Sequence, residues 1–291
     1  MASLVDLILA RRARLLPGWF TKRVLDRLKS IEGYNSYKGY SVDILPHADA
    51  LDFFFALGAK SDQVKTIVDA GANVGMMTRG FHLCFPQARI FAFEPNREVF
   101  KELQSNLRNR EPFASAFERG QIELVNCGLF SSAAEMDLHV LASADSSSLI
   151  PLTEERRAIH PSLYKPVRID KVSLITLDSF VREREIEHID LLKIDVEGVY
   201  VDVLKGGREA LSRTDRVLVE IDWSVKGPRS RDWIDAADIL YDSGLYLRAI
   251  VDIDGNRRNG FSIRDALDLY CHCIIPPPMK SYVMNCIFER M

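Results

Sequence analysis

Hydrophobic and polar positions along this 291-residue chain switch repeatedly between two periods. Apolar runs at 64–68, 90–93, 122–125, 189–195, 216–222 and 245–251, rich in β-branched residues, predict buried strands. Between them the apolar positions recur at helical spacing. Val99, Phe100, Leu103 and Leu107 predict a helix over 97–109, with Asn96 as its cap. Further helices are predicted over 76–83, over 177–185 with Thr176 as N-cap, over 199–211 with an interruption at Gly206-Gly207, and over 231–243. Additional strands are predicted at 37–42, 135–141 and 167–174, with the last ones drawn from 274–275 and 282–288, and a lead-in helix over 47–57. Strands alternating with helices imply an α/β fold, a parallel sheet covered on both faces. Ligands in such sheets bind at the carboxyl ends of the central strands. Asp69, Glu94, Asn126, Asp195 and Glu220 all fall at those ends.

Two segments stand apart from this alternation. Residues 142–166 are rich in serine, proline and charge. A long irregular insertion of this kind is usually functional or disordered, and as an insertion or lid it could bring in His160, although a lone loop histidine is usually just solvated. Residues 1–60 read as a helical arm and lead-in, residues 61–291 as the main domain. Within 1–30, Arg11, Arg12, Arg14, Lys22, Arg23, Arg27 and Lys29 interleave with apolar positions. Such a helix either rests on an anionic membrane surface or packs on the domain or a second subunit; the second is the commoner use of amphipathic helices.

Composition adds bounds. A chain with 47% hydrophobic and 27% charged residues has globular proportions, and its length allows a full core. The net charge of −3 gives no general attraction to nucleic acid. No run reaches the roughly 20 apolar residues of a membrane span. The order of charged and apolar residues at the start is not that of a signal peptide. The cysteines (Cys84, Cys127, Cys271, Cys273, Cys286) are scattered and read as reduced, and Cys271-x-Cys273 lacks the second pair of a structural zinc site. Together these predict a cytoplasmic protein.

The candidate chemistry lies in two motifs. Val68-Asp69-Ala70-Gly71-Ala72-Asn73-Val74-Gly75 joins a strand to a helix start, where free N–H groups and glycine backbone form a cofactor cradle. The dinucleotide fingerprint is Gly-x-Gly-x-x-Gly, and here Asn73 would block the close approach of a pyrophosphate. An acid before the first glycine suits a cation instead, such as the α-ammonium of S-adenosylmethionine. Glu94, ending the next strand in Phe93-Glu94-Pro95, suits the two hydroxyls of a ribose. The second motif, Lys193-Ile194-Asp195-Val196-Glu197-Gly198, puts three ionisable groups at the end of an apolar strand. A lysine there needs a carboxylate partner, and the group suits proton transfer. Asp195, Glu197 and Glu220 are also oxygen donors of the kind that bind Mg²⁺, although carboxylates alone argue weakly for a metal.

These motifs, with Thr78, Leu177-Asp178-Ser179-Phe180, Leu204-Lys205-Gly206 and Val219-Glu220, resemble the FkbM-type S-adenosylmethionine-dependent methyltransferases over about residues 65–225. The resemblance implies a class I methyltransferase fold: a Rossmann-like, seven-stranded, mostly parallel sheet that serves methyl transfer to a hydroxyl of a sugar, glycan or secondary metabolite. It implies that Asp69, Gly71, Asn73, Gly75 and Thr78 hold the methionine part, Glu94 with Asn96 the ribose, and Asn126, Cys127 and Gly128 the adenine border. Asp195 would lie near the sulfonium. Asp195 or Glu197 would act as base, with Lys193 orienting it. Where the family commonly has a second acid after Glu-Gly, this chain has Tyr200, which implies an altered pocket. The alternatives left open are a nicotinamide-dependent sugar oxidoreductase or epimerase, and a non-catalytic assembly partner, oligomeric or not.

Overall fold

The structure is a computed structural model and describes residues 63–143, 146–152, 154–159, 161–222, 231–252 and 283–290. The arm at 1–60, its predicted strand and helix, residues 274–275, His160, Cys271 and Cys273 lie outside the described residues.

The chain runs β1 (Thr66–Ala70), α1 (Met76–Cys84), β2 (Arg89–Phe93), α2 (Arg97–Arg108), α3 (Phe113–Glu118), β3 (Ile122–Val125), β4 (Gly128–Leu129), β5 (Ala134–Leu141) and α4 (Glu154–Ile159). It continues through β6 (Pro166–Ile175), α5 (Leu177–Glu183), β7 (Leu191–Ile194), α6 (Tyr200–Lys205), α7 (Arg208–Leu211), β8 (Arg216–Asp222), α8 (Asp232–Asp242), β9 (Leu245–Asp252) and β10 (Val283–Arg290). Seven strands form one sheet in the order β3-β2-β1-β7-β8-β10-β9. All neighbours from β3 to β8 are parallel, and β10 is antiparallel to both β8 and β9.

Each central strand is apolar on both faces because helices cover both. On one face Ile67, Ile90, Ile122, Leu191 and Leu218 pack with Phe81, Leu103, Leu107 and Phe113 of α1 to α3. On the other, Val68, Phe91, Leu192 and Val219 pack with Phe180, Val203, Leu211 and Leu240 of α5 to α8. Period two in the strands and 3.6 in the helices thus meet in two buried layers. The predicted caps hold: Asn96 accepts from the N–H groups of Glu98 and Val99, and Thr176 from that of Ser179.

The short helices α3 and α4 and the strand β4 do not appear in the alternation read in the sequence, α4 lying inside the insertion taken as irregular. One grouping of strands also differs. β5 and β6 do not join the main sheet. They pair with each other, antiparallel, and β6 also pairs with β4. Their inward residues Leu138, Val140, Val172 and Leu174 make a small core of their own, while the opposite face is exposed at Glu135, Asp137, Val167, Ile169 and Lys171. Strand periodicity marks a buried face but does not say which sheet buries it.

Candidate active site

β1 and β2 end side by side, and the turn after β1 leaves the sheet at their carboxyl edge. Backbone N–H groups of Gly71 and Ala72 donate to the Phe93 carbonyl at 3.1 and 2.8 Å, which anchors the turn to β2. Gly71 has φ 78°, Asn73 φ 51° and Gly75 φ 88°. Gly71 also has no room: a Cβ there would stand 1.8 Å from the Asp195 carbonyl oxygen. The left-handed backbone and the close approach of β7's exit both require glycine. Asn73 tolerates the same region because its Oδ1 accepts from the Val74 N–H at 2.7 Å. Asn106 of α2 braces the turn from behind, donating to the Val74 carbonyl at 2.9 Å. Helix α1 then starts at Gly75 with no side chain capping it, so its first N–H groups are left to whatever occupies the turn.

Behind this turn lies a buried charge cluster. Asp69 is fully buried; Thr78 Oγ1 donates to it at 2.6 Å and Lys193 Nζ lies 3.0 Å from its other oxygen. Lys193 is itself buried, donates to the Gly71 carbonyl at 2.8 Å and sits 3.3 Å from Asp195. Burial opposes its charge, but Asp195 and Asp69 outweigh that and hold its ammonium above the ordinary lysine range. The lysine therefore has the carboxylate partner its place in a buried strand demanded, and it has two. Asp69 faces inward, with both oxygens engaged by Thr78 and Lys193.

Glu94 leaves the end of β2 and accepts from the N–H groups of Asn73 at 3.0 Å and Asn96 at 2.8 Å. Burial raises its carboxyl to about 7, against the opposing pull of those two hydrogen bonds and Lys193. Each of its oxygens keeps a lone pair for a further donor. Asn126 donates its side-chain amide to the Glu94 and Pro95 carbonyls at 2.8 and 3.3 Å. Cys127 and Gly128 follow, both buried, and burial pushes the Cys127 thiol up to about 11, so it is an inert packing group.

Asp195, one residue past β7, keeps its side chain 42% exposed and is the carboxylate of the cluster that opens outward. Its backbone N–H donates to the Ala70 carbonyl at 3.0 Å. Glu197 lies in the following turn, half-buried. The insertion between β5 and β6 reaches this turn: Ser148 Oγ donates to the Glu197 carbonyl at 2.6 Å and accepts from the Ile150 N–H at 3.0 Å. Tyr200 is buried in the core below.

The sequence-predicted set therefore converges on one edge, from Asp69 to Gly75 with Thr78, through Glu94, Asn96 and Asn126 to Gly128, to Lys193, Asp195 and Glu197. Sequence reasoning missed Asn106 and Ser148. The signal for Asn106 was a polar residue beside the buried Leu103 and Leu107; Ser148 had none, lying in a serine run. Among the described residues, the one His/Cys/Asp/Glu group with donor atoms all within 4.8 Å is His188, Asp190 and Asp215, at the opposite edge of the sheet. Asp195, Glu197 and Glu220 are not gathered for Mg²⁺ in that way. The described cysteines Cys84, Cys127 and Cys286 are buried, and no helix among the described residues is long and apolar enough to cross a membrane.

Residues 69–256 match the methyltransferase FkbM domain. Among curated proteins, the chain is similar to methyltransferase sdnD of Sordaria araneosa, at 31% identity over 62% of this chain and 73% of that one. It is similar to the 2-O-methyltransferase NoeI of Sinorhizobium fredii, at 29% identity over 64% of this chain and 70% of that one. The hexuronic acid methyltransferase AglP of Haloferax volcanii is 29% identical over 56% of this chain and 57% of its own. With a match that begins at the buried Asp69 and runs through both motifs to β9, the chain belongs to the FkbM methyltransferase domain family.

Proposed function

We propose that this protein transfers a methyl group from S-adenosylmethionine to a hydroxyl of a sugar, glycan or secondary metabolite. The observation that carries this reading is the single sheet edge where the Gly71–Asn73–Gly75 turn, Glu94 and the Asp69–Lys193–Asp195 cluster meet. The left-handed glycine turn, the uncapped start of α1 and a carboxyl with spare acceptor sites fit this cofactor. Gly71, Asn73 and Gly75 would hold its methionine part by backbone. Asp69 and Thr78 would fix Lys193 and the turn. Glu94 would accept the ribose hydroxyls, with Asn96 and Asn73 holding its carboxylate, and Asn126, Cys127 and Gly128 would border the adenine.

Bound S-adenosylmethionine supplies an electrophilic methyl on a positive sulfur. The protein must place the acceptor oxygen in line and remove its proton. Asp195 is the outward carboxylate and is assigned as the base; Lys193 fixes its direction. Glu197 is assigned to the acceptor side, where Ser148 ties the insertion down and makes it a wall of that pocket. The names of NoeI and AglP favour a sugar hydroxyl as the acceptor class.

Isothermal calorimetry with S-adenosylmethionine and with NAD tests the donor: heat with the first and none with the second is expected, and the reverse would overturn the reading. A screen of glycan and lipid extracts with radiolabelled cofactor then tests the acceptor class. Label is expected on a carbohydrate hydroxyl in base-stable linkage; label confined to nitrogen or carboxylate products would overturn O-methylation.

A further inference from the structure

Helix α2 is tied to the cradle turn at both of its ends. At its start, Glu94 accepts from the N–H groups of Asn73 and Asn96, and Asn96 in turn caps α2 by accepting from those of Glu98 and Val99. Towards its end, Leu103, Asn106 and Leu107 recur at helical spacing and share one face, all three buried. That face lies against the turn. A Cβ at Gly75 would stand 2.5 Å from Leu103 Cδ1, and Asn106 donates its side-chain amide to the Val74 carbonyl at 2.9 Å. Turn and helix therefore close a ring, from Asn73 through Glu94 and Asn96 along α2 to Asn106 and back to Val74.

The Asn106 bond falls on the peptide plane that joins Val74 to Gly75. A trans peptide is rigid, so its carbonyl and its N–H point to opposite sides. Asn106 holds the carbonyl side; on the other side the Gly75 N–H donates to the Ala72 carbonyl at 2.9 Å. Helix α1 starts at the next residue, with no side-chain cap. The orientation of this one plane thus sets where the first N–H groups of α1 point. The plane also follows Asn73, whose φ of 51° lies in the left-handed region, which a residue with a side chain keeps only when its surroundings fix it. Without the Asn106 amide the plane loses one of its two holds, and the turn can relax out of that region.

We propose that Asn106 is a positioning residue for the cofactor: acting through the Val74–Gly75 peptide, it aims the uncapped start of α1 at the methionine part of S-adenosylmethionine. The identity of that ligand rests on the methyl-transfer reading above; the hold of Asn106 on the turn does not.

The test uses the full-length protein and two substitutions at one position. Asn106→Leu keeps the size and loses the donor. Asn106→Asp keeps the shape, and its carboxyl can donate to the Val74 carbonyl only while it is protonated. Calorimetry at pH 8 is expected to show S-adenosylmethionine bound at least tenfold more weakly by both variants. As pH falls towards 5, Asn106→Asp should gain affinity relative to Asn106→Leu, because burial beside a carbonyl favours the protonated carboxyl that restores the bond. Any slope common to both variants cancels in that ratio, and a merely structural role would leave the ratio constant. Unchanged affinity in Asn106→Leu, or a ratio that does not move with pH, overturns the proposal. Amide hydrogen exchange in the ligand-free chain supplies a readout without cofactor. The amides of Asn73, Val74 and Gly75 are expected to exchange at least tenfold faster in Asn106→Leu, while those of Ile67 and Val68 in β1 keep their rates. Equal acceleration in the turn and in β1 is a general loss of stability and overturns the proposal. Local opening of the turn, with no heat from S-adenosylmethionine even in the unaltered chain, leaves the hold of Asn106 standing and sinks the methyl-transfer reading instead.

Discussion

At the carboxyl edge of the main sheet, Lys193 and Asp69 are both buried and face each other at 3.0 Å. At the amino edge, His188 lies 3.1 Å from Asp215 and 3.8 Å from Asp190, with His188 and Asp215 nearly half exposed. Asp190 accepts from the N–H groups of Lys65 and Thr66, both at 2.8 Å, and so stitches the start of β1 to the start of β7. Both edges gather charge, and by residue type the amino edge looks the more like a metal site. It lacks cost. Its charges are solvated or satisfied by backbone, and no left-handed turn is folded around them. The carboxyl edge buries an ammonium and a carboxylate, holds Asn73 in the left-handed region, and raises a glutamate far from its usual range. Charge alone marks a surface, whereas charge held at an energetic cost marks a site.

The largest expected effect breaks the carboxyl edge at its centre. Lys193→Met leaves Asp69 buried without its cation and should cost about 3–5 kcal/mol of stability. Urea unfolding measures it, and Asp69→Asn in the same background should restore part of the loss. Next comes Gly71→Ala, which forces a Cβ against the Asp195 carbonyl at φ 78°. It should lower stability by roughly 2–3 kcal/mol and abolish measurable S-adenosylmethionine binding, read by thermal melting and calorimetry.

A smaller effect follows from Glu94, whose carboxyl is raised to about 7 from an ordinary 4.5. Acceptance of two ribose hydroxyls needs the ionised form, and in the free protein that form is depleted below about pH 7. Affinity for S-adenosylmethionine should therefore weaken roughly tenfold per unit as pH falls from 7 towards 5, and level off above 8. Calorimetry across that range checks the sign; Glu94→Gln should bind more weakly and show no such slope. The smallest effect is at the amino edge. Asp215→Asn removes an exposed ion pair and should change stability by no more than about 1 kcal/mol, with cofactor binding unaltered. A loss of activity there would erase the contrast between the two edges.

Much of this site was legible before the fold. Asp69, Gly71, Asn73 and Gly75 stand together in sequence, and Glu94 and Asp195 end apolar runs, so their meeting at one edge follows from a parallel sheet. Asn96 and Thr176 were readable as caps because capping is local. What failed to show was contact between distant segments. Ser148 reaches the Glu197 carbonyl from an irregular insertion, and Asn106 reaches the cradle from the far side of α2; neither follows a period. The separate sheet of β5 and β6 was hidden for a related reason, since alternation predicts a buried face without naming its partner.

The sequence by itself determined the order of the main-sheet strands and their longer helices, the glycine turn after β1 and the family, because these depend on local periodicity and on residues adjacent in the chain. Only the tertiary structure decided that Asp69 faces inward to Lys193 while Asp195 faces out. Burial and the positions of neighbouring charges set those states, and both arise only when strands remote in sequence lie side by side.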